Sequence, residues 1–212
     1  MKMTSDLIDK RIVFVGASGH GKVCAEIAKL NGYSDIFFLD DDNSVKKCGI
    51  YDVQGTTKDI DKYIDENTSF FVSIGNCEHR ARIQSEIEHI GGKVATLVHP
   101  GSIVSSESVI GTGSVVMAGA VINPCTTLGK GVIVNTGSSV DHDCNIGDWC
   151  HVSVGSHVCG TVKVDSKSWV GAGSIIVNNI SVCDGCVIGA GAVVVKDIYE
   201  SGTYIGIPAR KV

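Results

Sequence analysis

The strongest constraint on this chain is an aliphatic residue at every sixth position through its second half. The run is unbroken over seventeen consecutive positions. Its members are Val98, Val104, Ile110, Val116, Ile122, Leu128, Val134, Val140, Ile146, Val152, Val158, Val164, Val170, Ile176, Val182, Ile188 and Val194. Aliphatic residues make up roughly a quarter to a third of an ordinary chain, so chance does not produce such a run. The period therefore has a structural cause.

A period of six fits neither the repeat of an amphipathic helix nor the alternation of an ordinary strand. It does fit short strands joined at corners, in which each aliphatic side chain points into a prism and stacks on its equivalent one coil away. With three hexads to a coil, residues 98–194 supply between five and six coils. We therefore predict an all-β parallel β-helix for residues 98–212.

A second inward position lies four residues after each aliphatic one and usually holds a small side chain. These residues are Ser108, Ser114, Ala120, Thr126, Ser138, Cys144, Cys150, Ser156, Ser168, Ser174, Cys186 and Ala192. Three of the nine cysteines thus take a place otherwise held by Ser, Thr or Ala, which predicts buried packing residues and not ligands. Cys183 and Cys186 have metal-site spacing, but a zinc ribbon needs a second such pair and the sequence has none. No metal is expected.

Glycines gather one residue after the aliphatic position or two residues beyond that. They are Gly111, Gly113, Gly129, Gly131, Gly147, Gly171, Gly173, Gly189 and Gly191. Such places suit tight corners, so we predict a positive φ there.

The first half of the chain alternates strand-like and helix-like segments. Strands are predicted at residues 11–15, 36–39, 69–74 and 93–98, and helices at 23–30 and 78–90. This alternation predicts a small parallel sheet with flanking helices, an α/β Rossmann-like βαβ domain over residues 1–97.

Ligands of such sheets bind at the carboxyl ends of the strands, which here carry a Gly-rich loop from Gly16 to Lys22, the aspartates after Leu39, and Gly75. Glycines let the backbone approach a phosphate, and a helix N-terminus favours its charge. The loop lacks the GxGxxG dinucleotide pattern, which argues against NAD. A nucleotide of another kind is favoured over the alternative that the loop is only a tight strand-to-helix turn.

Composition excludes several partners. Lys and Arg number 18 against 23 Asp and Glu, a net charge of −5, so no basic field is available for nucleic acid or an anionic membrane. Residues Met1 to Asp6 lack an apolar signal core, and no stretch approaches the roughly 18 apolar residues of a membrane span. Nine cysteines, an odd number, suit a reducing compartment. We therefore expect a cytoplasmic protein.

An ordered set of short motifs extends across nearly the whole chain. The motifs are Gly16-Ala-Ser-Gly-His-Gly21, Leu39-Asp-Asp41, Ile74-Gly-Asn76, His99-Pro100, Val140-Asp-His-Asp-Cys-Asn-Ile-Gly147, His151-Val-Ser-Val-Gly155 and Gly206-Ile-Pro-Ala209. The set resembles the hexapeptide-repeat sugar acetyltransferases, above all the UDP-4-amino-sugar N-acetyltransferases of bacillosamine-type pathways and the sialic acid O-acetyltransferases.

The resemblance implies a left-handed β-helix, a homotrimer with active sites between subunits, and acetyl-CoA as co-substrate. It implies His142 as the general base and Asp143 as its helper, although the family usually has Glu at that position. It also implies two binding sets. A UDP-sugar is bound by Ser18, Gly19, His20, Asp40, Asp41 and Gly75, and acetyl-CoA by His151, Ala172 and Ala190.

These residue types suit acetyl transfer to the 4-amino group of a UDP-linked dideoxy sugar. Histidine titrates near neutrality and can take the proton of an attacking amine, while an adjacent carboxylate fixes its tautomer. His151 follows His142 by one and a half hexads, so the two lie on different edges of one chain. The trimer that the resemblance implies would let His151 meet a neighbour's His142 across a subunit groove. The alternatives are O-acetylation of sialic acid, and a nucleotide- or metal-binding scaffold without catalysis, in which His142 is a solvated corner residue.

Overall fold

The computed structural model describes residues 10–212, so the interpretation of Met1 to Asp6 lies outside the described residues. Residues 11–94 form a six-stranded sheet with two helices. Its strands are β1 (Arg11–Val15), β2 (Asp35–Leu39), β3 (Lys47–Cys48), β4 (Tyr51–Gly55), β5 (Thr68–Val72) and β6 (Lys93–Val94). The order across the sheet is β3-β4-β2-β1-β5-β6, with every neighbouring pair parallel except β3 and β4.

The α/β architecture is confirmed, but several element bounds differ from the prediction. Helix α1 (Gly19–Leu30) begins inside the glycine loop, and α2 covers Cys77–His89. The β3–β4 hairpin and a 3-10 helix at Thr57–Tyr63 were not predicted. The strand predicted at 93–98 is wrong as one element, because Lys93–Val94 pairs with β5 while the following strand belongs to the β-helix.

From residue 97 onwards the chain forms three sheets, the faces of a prism, whose strands are parallel and two residues long as far as residue 194. The first sheet comprises β7 (Leu97–Val98), β10 (Val115–Val116), β13 (Ile133–Val134), β16 (His151–Val152), β19 (Trp169–Val170), β22 (Val187–Ile188), β24 (Thr203–Ile205) and the antiparallel β25 (Arg210–Lys211). The second comprises β8 (Ile103–Val104), β11 (Val121–Ile122), β14 (Ser139–Val140), β17 (His157–Val158), β20 (Ile175–Ile176) and β23 (Val193–Val194). The third comprises β9 (Val109–Ile110), β12 (Thr127–Leu128), β15 (Asn145–Ile146), β18 (Lys163–Val164) and β21 (Ser181–Val182).

The register of these sheets confirms the parallel β-helix. Val116 pairs with Val98 on one side and Val134 on the other, so equivalent positions recur one coil apart. The inward aliphatic residues form one core cluster, joined by the small inward residues Ala120, Cys144 and others. Each coil buries its aliphatic residues against the next, which is why the six-residue period alone predicts the fold.

The corners have a positive φ at every sixth residue from Gly113 to Gly191, even where the residue is Cys125, Trp149 or Lys167. The prediction for glycines directly after the aliphatic position is wrong. Gly111, for example, is not among the positive-φ residues, and a Cβ on it would lie 2.4 Å from the carbonyl carbon of Gly129. Those glycines are required by the close approach of consecutive coils.

The N-terminal half covers part of the first sheet. The outward residues Leu97, Val115 and Ile133 are buried in a cluster that also contains Ala25 and Ile27 of α1. The next outward residue on that sheet, His151, is only partly covered, so a cleft opens where the N-terminal half ends. Within residues 10–212 we find no helix with the length and apolar character needed to cross a bilayer.

Candidate active site

His142 and Asp143 occupy the corner that follows β14 on the second sheet. The Nδ1–H of His142 donates a hydrogen bond to Oδ2 of Asp143 at 2.8 Å, and the side chains are 53% and 57% exposed. Asp143 has a φ of 58°, a left-handed conformation that Asp adopts more readily than most residues. Its backbone N–H donates to the carbonyl of Pro124 in the preceding coil. With Nδ1 bonded to Asp143, the outer nitrogen, Nε2, is left as the acceptor at this half-exposed corner.

The hydrogen bond to Asp143 raises the pKa of His142 above its usual 6.5, and the charge of Asp141 adds to this. The ring lies over Gly160 in the next coil, where a Cβ would come within 2.6 Å of both Cε1 and Nε2. Glycine at that position leaves room for the imidazole. Together these contacts orient a proton acceptor at an exposed edge.

The glycine loop brings α1 end-on to the edge of the sheet. Gly16 has a φ of 106°, and a Cβ there would lie 2.7 Å from Cγ1 of Ile74. A Cβ on Gly21 would lie 2.7 Å from the Gly16 carbonyl oxygen, so both positions need glycine. Ser18 is the N-cap, but its side chain makes no capping hydrogen bond. The first N–H groups of a helix have no partner within it, so this end favours an anion such as phosphate.

The two predicted aspartates lie beside this loop and already accept backbone hydrogen bonds. Asp40 accepts from the N–H of Ala17 at 2.6 Å and from that of Asp42 at 2.9 Å. Asp41 accepts from the N–H of Thr57 at 2.9 Å and from its hydroxyl. Each carboxylate keeps lone pairs for a ligand.

Both aspartates line a cavity of about 220 Å³ at this edge of the sheet. It is smaller than another cavity of about 410 Å³ elsewhere in the N-terminal half. His79 and Arg82, from the first turns of α2, complete its wall. His79 was not among the residues predicted for the site. The signal available in the sequence was its position one turn after Gly75-Asn76, at the same edge.

Gly75 and His151 line a second cavity of about 330 Å³ between α2 and the first sheet of the β-helix. The ring of His151 stacks on that of Trp169, with centroids 5.5 Å apart and planes 7° apart. Nδ2 of Asn135 donates to Nε2 of His151 at 3.1 Å. Burial, with added repulsion from His20 and Arg80, lowers the pKa of His151 to about 3. His151 is therefore neutral at physiological pH and, in this tautomer, offers Nδ1–H as a donor.

Arg80 joins the two halves of the chain at this cavity. It is 1% exposed, and its guanidinium donates to four carbonyl oxygens at 2.7 to 2.9 Å. Two of them belong to Ile74 and Gly75, and two to the corners at Gly131 and Trp149. Burial, with the charge of Arg80 adding to it, lowers the pKa of the nearby His20 to about 4. Nothing in the sequence indicated this contact, because an arginine on an amphipathic helix usually faces solvent.

The predicted acetyl-CoA residues lie along one edge of the prism. His151 is on the first sheet, and Ala172 and Ala190 are exposed at corners that follow this sheet in the next two coils. His142 lies at the corner after the second sheet, so one chain does not bring it to His151. Among residues 10–212, no three His, Cys, Asp or Glu side chains are grouped so that they could hold a metal ion.

Comparison with known proteins places this geometry in a family. Residues 11–87 match the model of the PglD N-terminal domain. The acetyltransferase domain of PglB from Neisseria gonorrhoeae FA1090 has a TM-score of 0.91 and 39% identity, covering 96% of this chain and 100% of that one. The chain belongs to the hexapeptide-repeat sugar acetyltransferases.

Two further members show what such acetyltransferases bind or act on. PerB from Caulobacter crescentus, solved with CoA and GDP-perosamine, has a TM-score of 0.90 and 30% identity over 95% of this chain and 97% of its own. The UDP-N-acetylbacillosamine N-acetyltransferase of Bacillus subtilis (strain 168) is 32% identical over 114 residues, 51% of this chain and 52% of that protein. The match thus spans about half the length of this curated relative. The PglB domain has also been solved with acetyl coenzyme A, at a TM-score of 0.92 and 38% identity over 96% of this chain and 100% of that one.

Proposed function

We propose that this protein is an acetyl-CoA-dependent N-acetyltransferase acting on the 4-amino group of a UDP-linked amino-dideoxy sugar. The observation that carries the proposal is the His142–Asp143 pair, held at 2.8 Å on an exposed corner of a chain that is similar over 96% of its length to a sugar acetyltransferase. His142 is the general base and Asp143 orients it.

The residues support a direct transfer without a covalent enzyme intermediate. Nδ1–H of His142 donates to Asp143, so Nε2 carries the lone pair. As the sugar nitrogen forms a bond to the thioester carbonyl carbon, Nε2 accepts the proton that the nitrogen loses. Collapse of the tetrahedral intermediate breaks the C–S bond, and the imidazolium returns its proton to the leaving CoA sulfur. Asp143 stabilises the imidazolium between these steps.

Substrate binding is divided between the two halves of the chain. In this proposal the diphosphate of the sugar nucleotide meets the α1 N-terminus at Ser18, Gly19 and His20, while Asp40, Asp41 and Gly75 bind the nucleoside and sugar. Open backbone around Gly19 and Gly75 supports close approach of a ligand, since a Cβ at either would meet nothing within 4 Å. Acetyl-CoA lies along the edge of His151, Ala172 and Ala190.

The nucleotide and the acceptor atom are tested together by measuring CoA thiol release with UDP-, GDP-, dTDP- and CMP-linked sugars. We expect turnover with a UDP-linked 4-amino-4,6-dideoxy sugar and an amide in the product by mass spectrometry. Turnover only with the GDP-linked amino sugar would replace the nucleotide in the proposal. Acetylation of a hydroxyl on sialic acid or its CMP derivative, or release with none of the panel, would contradict it.

Replacing Asp143 with Asn tests the helper role, and Asn tolerates the left-handed backbone at this position. Because a neutral base is required, activity falls as the pH drops through the pKa of His142. Asp143 raises that pKa, so the acidic limb of kcat/KM should move to lower pH in Asp143→Asn. We also expect kcat at the plateau to fall on the order of 10-fold or more, because the tautomer is no longer fixed. A limb at the wild-type position would exclude a role for the carboxylate.

We further propose a homotrimer in which His142 of one subunit meets His151 of the next, because a single chain holds them on different edges. Mixing His142→Ala and His151→Ala subunits tests this. A shared site predicts that mixed trimers regain activity, since one interface then has both histidines intact. Absence of any recovery after unfolding and reassembly, in a mixture that does form trimers, would place both histidines in one subunit's site.

Two further proposals concern the domain division and the location of the protein. We propose a division of the chain into a nucleotide-sugar-binding domain, residues 1–97, and an acetyltransferase domain, residues 98–212. We also propose a cytoplasmic location, which is supported by nine free cysteines, five of them buried in apolar or small-residue positions.

A further inference from the structure

A second carboxylate, Asp141, lies directly before the base and is held in place from several directions. Its Oδ1 accepts the backbone N–H of His142 at 2.8 Å and Nδ2 of Asn123, in the preceding coil, at 2.6 Å. Its own N–H donates to the carbonyl of Val158, and its carbonyl accepts the hydroxyl of the buried Thr126 at 2.6 Å. Both its main chain and its carboxylate are thus fixed against the neighbouring coils.

The contact of Asp141 with His142 is made by a side chain and not by the main chain. Asn135, at the same position one hexad earlier, makes the equivalent contact with the N–H of Thr136 at 2.8 Å, but of the two only Asp141 brings a carboxylate to the corner. The N–H that Asp141 accepts belongs to the residue whose ring must point at the substrate. Asp141 and Asn123 are both partly buried, so the hydrogen bond between them is shielded from solvent on one side.

Two charged groups, Asp143 and Asp141, raise the pKa of the His142 imidazole. Three thiols face this corner from the same and adjoining coils, at Cys125, Cys144 and Cys159, and burial raises the pKa of each. They are therefore neutral in the range where His142 titrates. Glu107 contacts the thiol of Cys125 at 3.6 Å. The hydrogen bond from Asn123 lowers the pKa of Asp141, so this carboxylate remains charged in the same range.

We infer that Asp141 is a positioning residue for the base: held by Asn123, it fixes the main chain at His142 and keeps a second negative charge beside the imidazole. Asp143 bonds the ring directly, while Asp141 acts through the backbone and through space. This inference rests on the proposed role of His142, but it makes a claim about the imidazole that can be measured without turnover.

The test measures the rate at which diethyl pyrocarbonate modifies His142, read by mass spectrometry of the peptide across a range of pH. Only the neutral imidazole reacts, so the midpoint of the profile is the pKa of the ring. Asp141→Asn keeps an acceptor for the His142 N–H but loses the charge. In Asn123→Ala the carboxylate of Asp141 keeps its charge but loses the hydrogen bond that holds it. Asp165→Asn is the matched control, because Asp165 follows Val164 at the same hexad position at another corner and pairs with Lys163 at 3.0 Å.

Both test variants should shift the midpoint to lower pH. Asp141→Asn removes the nearby negative charge, and in Asn123→Ala the carboxylate is no longer held beside the ring and is screened by solvent. At a fixed pH below the wild-type midpoint, His142 should therefore be modified faster in them than in wild type or in Asp165→Asn. Either test variant keeping the wild-type midpoint overturns the inference, whatever its activity. If instead the midpoints shift as expected while His142→Ala remains fully active, the inference stands and the proposed catalytic role fails.

Discussion

Replacing His142 with alanine is expected to lower kcat on the order of 10²- to 10⁴-fold, the range over which general bases contribute. The loss should appear in kcat, with little change in the affinity for the sugar nucleotide. The reason is that the nucleotide site lies at the sheet edge near Asp40, whereas His142 is on an exposed corner of the β-helix. The measurement is CoA thiol release at saturating acetyl-CoA, with the Kd of the sugar nucleotide determined separately by calorimetry.

His157→Ala is the matched control for this variant. His157 is also an exposed histidine of the second sheet, and its Nδ1 lies 2.9 Å from the hydroxyl of Ser139. We expect its loss to leave kcat within about twofold, as for a surface substitution away from a site. A His142→Ala enzyme with a kcat equal to that of His157→Ala would remove the base from the mechanism.

Replacing Arg80 with methionine should destabilise the protein by about 3–5 kcal/mol. The buried guanidinium is the donor for four carbonyl oxygens, and its loss removes all four hydrogen bonds, including the one to the buried Gly131. Denaturant unfolding measures the change. A secondary loss of sugar-nucleotide affinity is expected as well, because Gly75 is one of the residues that Arg80 holds against the β-helix.

Arg82→Met is the control, since Arg82 lies on the same helix and, among residues 10–212, forms its ion pair with the exposed Glu86, at 2.8 Å. An exposed ion pair of this spacing contributes about 0.3–0.5 kcal/mol. Equal and small losses of stability in the two variants would contradict the structural role assigned to Arg80.

The β-helix was predictable from sequence because each coil repeats the same local demand. An inward aliphatic residue at every sixth position is needed regardless of what surrounds the prism, so the pattern survives in the sequence. The corners were harder. Their positive φ is imposed by the coil geometry, and residues such as Trp149 and Lys167 adopt it although nothing in their type indicates it.

The parts that sequence reasoning missed are those set by contacts between distant segments. Arg80 lies on a helix whose sequence pattern predicts one face in solvent. The Arg80 side chain is buried because that helix packs against the corners at Gly131 and Trp149. The β3–β4 hairpin was missed because β3 has two residues and offers no periodicity. His142 was found through its motif, whereas the Asn123–Asp141 contact depends on a spacing of one coil between residues of unrelated type.

The central claim is that His142 takes the proton from the substrate nitrogen, and a structure of the wild-type protein with CoA and the accepted 4-amino sugar nucleotide tests it most directly. The decisive quantity is the distance from Nε2 of His142 to the 4-amino nitrogen. We predict a distance of about 2.6–3.2 Å, or a single bridging water, with Nδ1 still bonded to Asp143. An amino group bound beyond reach of every His142 in the assembly would contradict the account.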